Sequence, residues 1–220
     1  MKKEAQNLTK LRHPNLLSLI EQPMEDQKYI IVVTEPVEYN LSSLQFDSSK
    51  KEMIPGDLEI KCLSLELLEG LNFLHNNAKM IHMGLAPEHV YITSEGRLKI
   101  GGLSFSVQFS TSESLNVPLN YDLRIDEYAM VPNLRFAAPE LSERQLVSIQ
   151  SDIFSVANLL FYLMALNKNK SPNLLNQPDI TDKQSHIHEY GALQRKLGQL
   201  MQGFDPEFDN MIRAMLNQNP

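Results

Sequence analysis

Cysteine, basic charge, glycine clusters and long apolar runs are all scarce in this sequence. Its 220 residues contain one cysteine, Cys62, so no internal disulfide can close. Cys62 falls in an apolar helical stretch, which predicts a buried structural thiol and not a reactive one. Lysine and arginine total 20 against 27 acidic residues, a formal net charge of −7. That balance gives no electrostatic support for a nucleic-acid partner or for a basic membrane-binding surface. No run approaches the roughly 18 apolar residues needed to cross a bilayer. The longest candidate, 153–166, is shorter and contains Asn158. The opening MKKEAQNLTKL is basic but lacks the apolar run of a secretory signal. A cytosolic chain without direct membrane insertion is expected.

What is present is ordinary for a globular protein: 42% hydrophobic and 21% charged residues, enough for one substantial domain. Glu4, Leu8 and Leu11 recur at helical spacing until His13-Pro14, where proline must stop the helix. Two apolar runs, LLSLI (16–20) and YIIVVTE (29–35), predict an antiparallel pair of strands. Pro36 ends the second run, and 38–56 reads as a linker or loop. A helix is predicted over 57–77, with Leu63, Leu67, Leu68, Leu71 and Leu74 on one face and Asp57 near its start. Residues 90–101 read as a hairpin turning at SEG. The Ser-, Asn- and Pro-rich stretch 103–138 has no sustained period, and loops of that length are usually functional or mobile. Helical patterning returns over 151–166 and most of 186–217, broken near Gly203 and Pro206.

That order, with its local sequences, resembles the eukaryotic protein-kinase fold. EAQNLTKLRHPNLLSL is similar to the regulatory helix and following strand, with Glu4 at the lysine-pairing glutamate. IHMGLAPEHVYI resembles the catalytic loop and RLKIGGLSF the metal-binding loop. FAAPEL resembles the end of the activation segment, and SDIFSVANLLFYLM the buried helix of the large lobe. The resemblance implies an α+β, kinase-like fold: an incomplete small lobe over 1–37 (one helix, two strands) and a mostly helical large lobe over 38–220. The glycine-rich loop and the lysine strand would precede residue 1, and no Gly-rich segment elsewhere substitutes. The last helices would follow Pro220, with the arginine that pairs with the glutamate matching Glu140.

The departures fall on the groups that do chemistry. Kinase catalysis is positioning plus charge neutralisation by a few side chains. Where the family has its catalytic aspartate this chain has Gly84, and where it has the metal-binding aspartate, Gly102. The catalytic-loop lysine is Ala86, and the second metal-binding residue, asparagine in the family, is His89. A positioned base typically supplies a factor of about 100 to 10,000 in rate. Glycine has no side chain to act as one, and magnesium prefers oxygen ligands to imidazole. No catalytic residue and no metal site is therefore expected. Scaffold positions, by contrast, fit the family: Leu8, Leu19, Leu103 and His82 match the stack linking the lobes, and Asp152 the anchor of the catalytic-loop backbone.

LTKLRHPNLLSL, VVTEPV, EGLNFLH, KMIHMGLAPEHVYI and LKIGGLSFSV are similar to the Scy-like pseudokinases, particularly the clathrin-coated-vesicle branch. That resemblance implies a trafficking adaptor, peripheral on trans-Golgi, endosomal and coated-vesicle membranes. Clathrin and adaptor proteins would be its partners, mainly through regions beyond this chain. It implies no required cofactor. A second reading is a nucleotide-responsive switch that binds ATP without magnesium, through a pocket at Thr34, Glu35, Val37 and Tyr91. Tyr91 stands where the family has an aliphatic pocket floor, so it either fills the pocket or stacks on adenine. A third reading, residual kinase activity, would need another carboxylate in place of Gly102 and Gly84; Glu88 is close in sequence, but the family pattern implies that it points away from the phosphates. His82 reads as a packed residue before a general base, and His186 and His188 as surface histidines before metal ligands. Ser104, Ser106, Ser110, Ser112 and Ser114 suit a polar loop without modification.

Overall fold

The computed structural model describes residues 2–26, 28–110, 117–118, 132–143, 146–170, 193 and 197–216. His186, His188, Ser112 and Ser114 lie outside the described residues. Helix α1 (Lys2–Lys10) buries Ala5 and Leu8. Beyond it, Arg12 Nη1 donates to the Leu8 carbonyl (3.1 Å), satisfying one of the end groups that proline leaves exposed.

The two apolar runs pair antiparallel, although the regular ladder is shorter than their length suggests. Strands β1 (Met24–Glu25) and β2 (Ile30–Ile31) form one hairpin. Leu19 bridges Thr34, and the Ile20 and Glu35 amides donate to the Val33 and Ser18 carbonyls. Residues 15–17 also run parallel to the large lobe: the Leu17 amide donates to Ile100, and the Ile100 amide to Asn15. Ile20, Met24, Tyr29 and Ile31 remain exposed on this small unit.

Segment 38–56 is not the linker its sequence suggests. It contains β3 (Tyr39–Asn40), α2 (Ser43–Phe46) and a 3-10 stretch at Ser48–Met53. Leu41 and Leu44 are buried, and Tyr162 Oη donates to the Leu41 carbonyl (3.0 Å). Elements of two to six residues are too short to show a period. Tertiary contacts create them.

Helix α3 (Asp57–Asn72) buries Ile60, Leu63, Leu67 and Leu71 and leaves Leu68 half-buried. It opens into a π-helical turn at Phe73–Asn77 that buries Leu74 and His75. Gly56 is the N-cap, and its amide donates to Glu59 (2.7 Å). Asp57 instead holds Lys168 and Asn167. Cys62 is exposed, against expectation. It lies four residues after Leu58 and three before Leu65, both exposed, so all three share the solvent face of α3.

Strand β4 (Met80–Ile81) leads into the loop, a 3-10 turn at Pro87–His89, and the hairpin of β5 (Val90–Ile92) and β6 (Leu98–Ile100). Strand β3 completes this sheet in the order β3-β5-β6. Within 103–138, β7 (Val107–Gln108) pairs with β4 and β8 (Val117–Pro118) with β9 (Leu146–Val147), both antiparallel. After α4 (Glu140–Glu143) comes α5 (Ile149–Asn167), longer at both ends than the apolar run in the sequence. By length and composition alone it could cross a membrane, yet 83% of its apolar window is buried in the fold. It is the core helix. Each large apolar side chain it fully buries, such as Leu159, Leu160 or Phe161, contributes about 1.5–3 kcal/mol. Helix α6 (Pro206–Leu216) packs Phe208, Ile212 and Leu216 inward, and Phe204 just before it meets Phe161 of α5 at 5.6 Å.

Candidate functional site

Asp152 organises the loop after β4. Its carboxylate, fully buried near the start of α5, accepts from the amides of His82 (2.8 Å) and Met83 (2.9 Å) and from His75 Nε2 (2.7 Å). Three donors satisfy a charge that would otherwise be prohibitive to bury. The fully buried His82 ring continues the network. Its Nε2 donates to the Gly101 carbonyl (2.7 Å), and its Nδ1 accepts from the Gly84 amide (3.2 Å). That pattern fixes the neutral tautomer. Burial pushes the His82 pKa down, against the opposing pull of Asp152. A ring so enclosed acts structurally.

The cleft side of the loop is filled by rings. A Cβ on Gly102 would lie 2.2 Å from Cγ of His89, whose ring occupies that space, and Gly102 has φ +71°. His89 is pinned there: its Nδ1 donates to the Gly84 carbonyl (2.6 Å), and its own carbonyl accepts from the Gly101 amide (2.9 Å). A Cβ on Gly84 would stand 2.7 Å from Cδ2 of Phe105. An aspartate at either position would have to displace a ring. Ala86, just before the 3-10 turn, is buried. Glu88 is held by Asn133 Nδ2 (3.0 Å).

Glu4 on α1 faces the same loop. Its Oε1 accepts from the Gly102 amide (2.9 Å) and its Oε2 from Ser104 Oγ (2.8 Å). One turn along the same helical face, Asn7 Nδ2 donates to the Leu103 carbonyl (3.0 Å) and Ser106 Oγ (2.9 Å). The Glu4 carboxylate is thus engaged by the 102–104 segment. Leu8 and Leu103 are buried beside this contact, while Leu19 is half-buried against the core. Ser106 is buried, and Glu140 accepts from Ser151 Oγ (2.7 Å).

Between α1 and the sheet lies an open cleft of about 230 Å³, lined by Glu4, Leu8, Leu17, Val32, Thr34, Val37 and Tyr91. Three of the four residues expected to form a nucleotide pocket therefore line one space. The Glu35 side chain does not: it accepts from the Ser18 amide (2.8 Å) and pairs with Lys99 (2.9 Å). Thr34 Oγ1 donates to the Glu35 carbonyl (3.1 Å). Tyr91 is half-buried, its ring within 2.9 Å of where a Gly101 Cβ would stand. Burial, reinforced by Glu4 and Glu88, pushes its phenol pKa up. Among the described residues no group of three or more His, Cys, Asp or Glu side chains is arranged to hold a metal ion. Sequence reasoning missed Phe105, Asn7 and His75. Asn7 was detectable as the next turn after Glu4, whereas the two rings become visible only once the chain is folded.

Comparison with known proteins places this geometry. The model of the protein kinase domain matches residues 1–220, in accord with the expected α+β class. The protein kinase-like protein SCY1 of Saccharomyces cerevisiae is 30% identical over 171 residues, covering 74% of this chain and 21% of that protein. SCY1-like protein 2 of Homo sapiens is 28% identical over 234 residues, covering all of this chain and 24% of that protein. The serine/threonine-protein kinase Nek3 of Mus musculus is 23% identical over 219 residues, covering all of this chain and 38% of that protein. The chain spans about a quarter of the length of the Scy1-like relatives it matches. It belongs to the protein kinase domain family and, within that family, resembles the Scy1-like proteins.

Proposed function

We propose that this chain is a catalytically inactive kinase-like module that works by binding protein partners. The observation that carries the reading is the filling of the site. His89 and Phe105 occupy the room that carboxylates at Gly102 and Gly84 would need, so no metal-held phosphate would have a counterion or a base there. Phosphoryl transfer from labelled ATP to a generic acceptor, with Glu88→Gln as control, should give no incorporation above background. Restoring Asp at 84 and 102 together should give none either, because both rings still stand in the way. Transfer by the wild-type chain that Glu88→Gln abolishes would overturn the reading.

The kind of partner follows from the Scy1-like resemblance alone. On it we propose a role in clathrin-dependent trafficking on trans-Golgi and endosomal membranes, with clathrin and adaptor proteins as partners of the whole protein. Co-sedimentation of the full-length protein with clathrin cages, lost when its non-kinase regions are deleted, is the expected result. A nucleotide-responsive switch is the second reading, favoured by Thr34, Val37 and Tyr91 lining one cleft.

A further inference from the structure

Helix α3 carries an apolar line that its own fold does not use. Leu58 is 74% and Leu65 64% exposed, with Cys62 exposed between them. Spacings of four and three residues set the three in one row about 10 Å long. The row faces away from the buried one of Ile60, Leu63, Leu67 and Leu71. Ion pairs border it on both sides and hold α3 in place. On one side Asp57 holds Lys168 (3.1 Å), and Lys61 meets Asp205 (3.3 Å) and the Phe208 ring of α6. On the other side Glu66 holds Arg97 (3.0 Å) and the Leu98 amide (2.7 Å). The track between them is open.

Its charge is one-sided. Helix α3 carries the carboxylates of Asp57, Glu59, Glu66 and Glu69 against the single amine of Lys61, which is spent on Asp205. Glu69 continues the row one turn beyond Leu65, is exposed, and among the described residues pairs with no cation. Glu59, also exposed, stands beside Leu58. The net charge of −7 adds a long-range field that favours cations. Three side chains of this size present on the order of 300 Å² of apolar surface, well short of the roughly 800 Å² per partner of a standard interface. A second copy of the chain would need more. A helix surface also offers no free backbone groups to which a strand could add, so the shape that fits is one helix laid along the row.

We propose that the Leu58–Cys62–Leu65 row of α3 is a docking track for a basic amphipathic helix of a partner protein. That helix carries leucine-type side chains at i, i+3 or i+4, and i+7, with lysine or arginine beside them. Its apolar residues pack on Leu58, Cys62 and Leu65, and its cations face Glu59 and Glu69. The proposal rests on the reading of the chain as a protein-binding module and names a surface and a partner chemistry for it.

Cys62 is the only cysteine in the chain, so its alkylation by iodoacetamide reports occupancy of the row directly. The probes are a leucine–lysine peptide with leucine at helical spacing, the same peptide with glutamate for lysine, and the lysine peptide scrambled to break the spacing. With the 220-residue chain, the first should slow alkylation saturably and bind about tenfold more tightly than the glutamate peptide, a preference that salt reduces. Leu58→Ser combined with Leu65→Ser should weaken it by more than about tenfold. The thermal transition should persist, since both side chains are exposed. Glu69→Lys should narrow the preference for lysine over glutamate. In the full-length protein Cys62 should react as fast as in the 220-residue chain and be protected by the same peptide. A thiol already protected there would overturn the proposal, because a segment of the same protein would occupy the row. Equal binding by the scrambled peptide, unchanged affinity in the double leucine variant, or no protection of Cys62 would also overturn it. Phosphoryl transfer by the wild-type chain defeats the inactive-module reading whatever the peptides do. No transfer together with no peptide protection defeats the docking track alone.

Discussion

The loop that begins at His82 has an inner and an outer side, and they differ in what they retain. On the inner side, Asp152 collects the His82 and Met83 amides and His75, and His82 links the Gly84 amide to the Gly101 carbonyl. On the outer side, facing the cleft, positions 84 and 102 are glycines, and the His89 and Phe105 rings stand where a side chain at either would begin. The inner groups are buried and polar, so losing one leaves others unsatisfied and threatens the fold. A lost outer group affects only chemistry, and packing can close the gap it leaves.

Breaking the inner side should have the largest effect. Asp152→Ala leaves two buried amides and a histidine without their acceptor. It should destabilise the fold by about 3–5 kcal/mol in urea denaturation, and Asp152→Asn should cost less. A loss below about 1 kcal/mol would mean that the loop does not depend on this anchor. On the outer side, Gly102→Ala should cost about 2–4 kcal/mol, combining a left-handed backbone with an overpacked ring. In a His89→Ala background only the backbone share, about 1–2 kcal/mol, should remain. Equal losses in both backgrounds would show that His89 does not fill the Gly102 space.

His82 links the two sides and can be read by pH. Its folded pKa lies below its ordinary 6.5, so as pH falls below 6.5 the unfolded chain takes up a proton that the folded chain refuses. Stability is full above that value and declines below it, by at most about 1.4 kcal/mol per pH unit for one proton. His82→Asn should flatten that part of the pH profile; an unchanged slope would assign it to another group. The smallest effect belongs to the surface of α3. Cys62→Ser should change stability by less than about 0.5 kcal/mol, whereas a loss above 2 kcal/mol would return Cys62 to the interior.

The kinase-like order of elements was legible because long periodic helices and spaced motifs survive in sequence. Helices α3 and α5 and the β5–β6 hairpin lie where their patterns put them. Segment 38–56 was not legible, since its turns and two-residue strand draw their order from Leu41, Leu44 and Tyr162. Cys62 was misjudged for a related reason. An apolar neighbourhood in sequence does not say which face of a helix turns inward, and Leu58 and Leu65 turn outward with it. Among the site residues, Thr34, Val37 and Tyr91 line one cleft, while the Glu35 side chain is drawn out of it by Ser18 and Lys99.

By itself the sequence determined the residue types at positions 84, 86, 89 and 102, which are local facts, and its resemblance to kinases is what implies that reactive groups would stand there. Only the tertiary structure decided what fills the space beside Gly84 and Gly102. His89 and Phe105 reach it from elsewhere in the chain, and close packing leaves no void where a side chain can fold in. It also decided that Glu4 spends its carboxylate on Gly102 and Ser104, a contact across about a hundred residues of chain that exists only when α1 and the 102–106 segment are packed together.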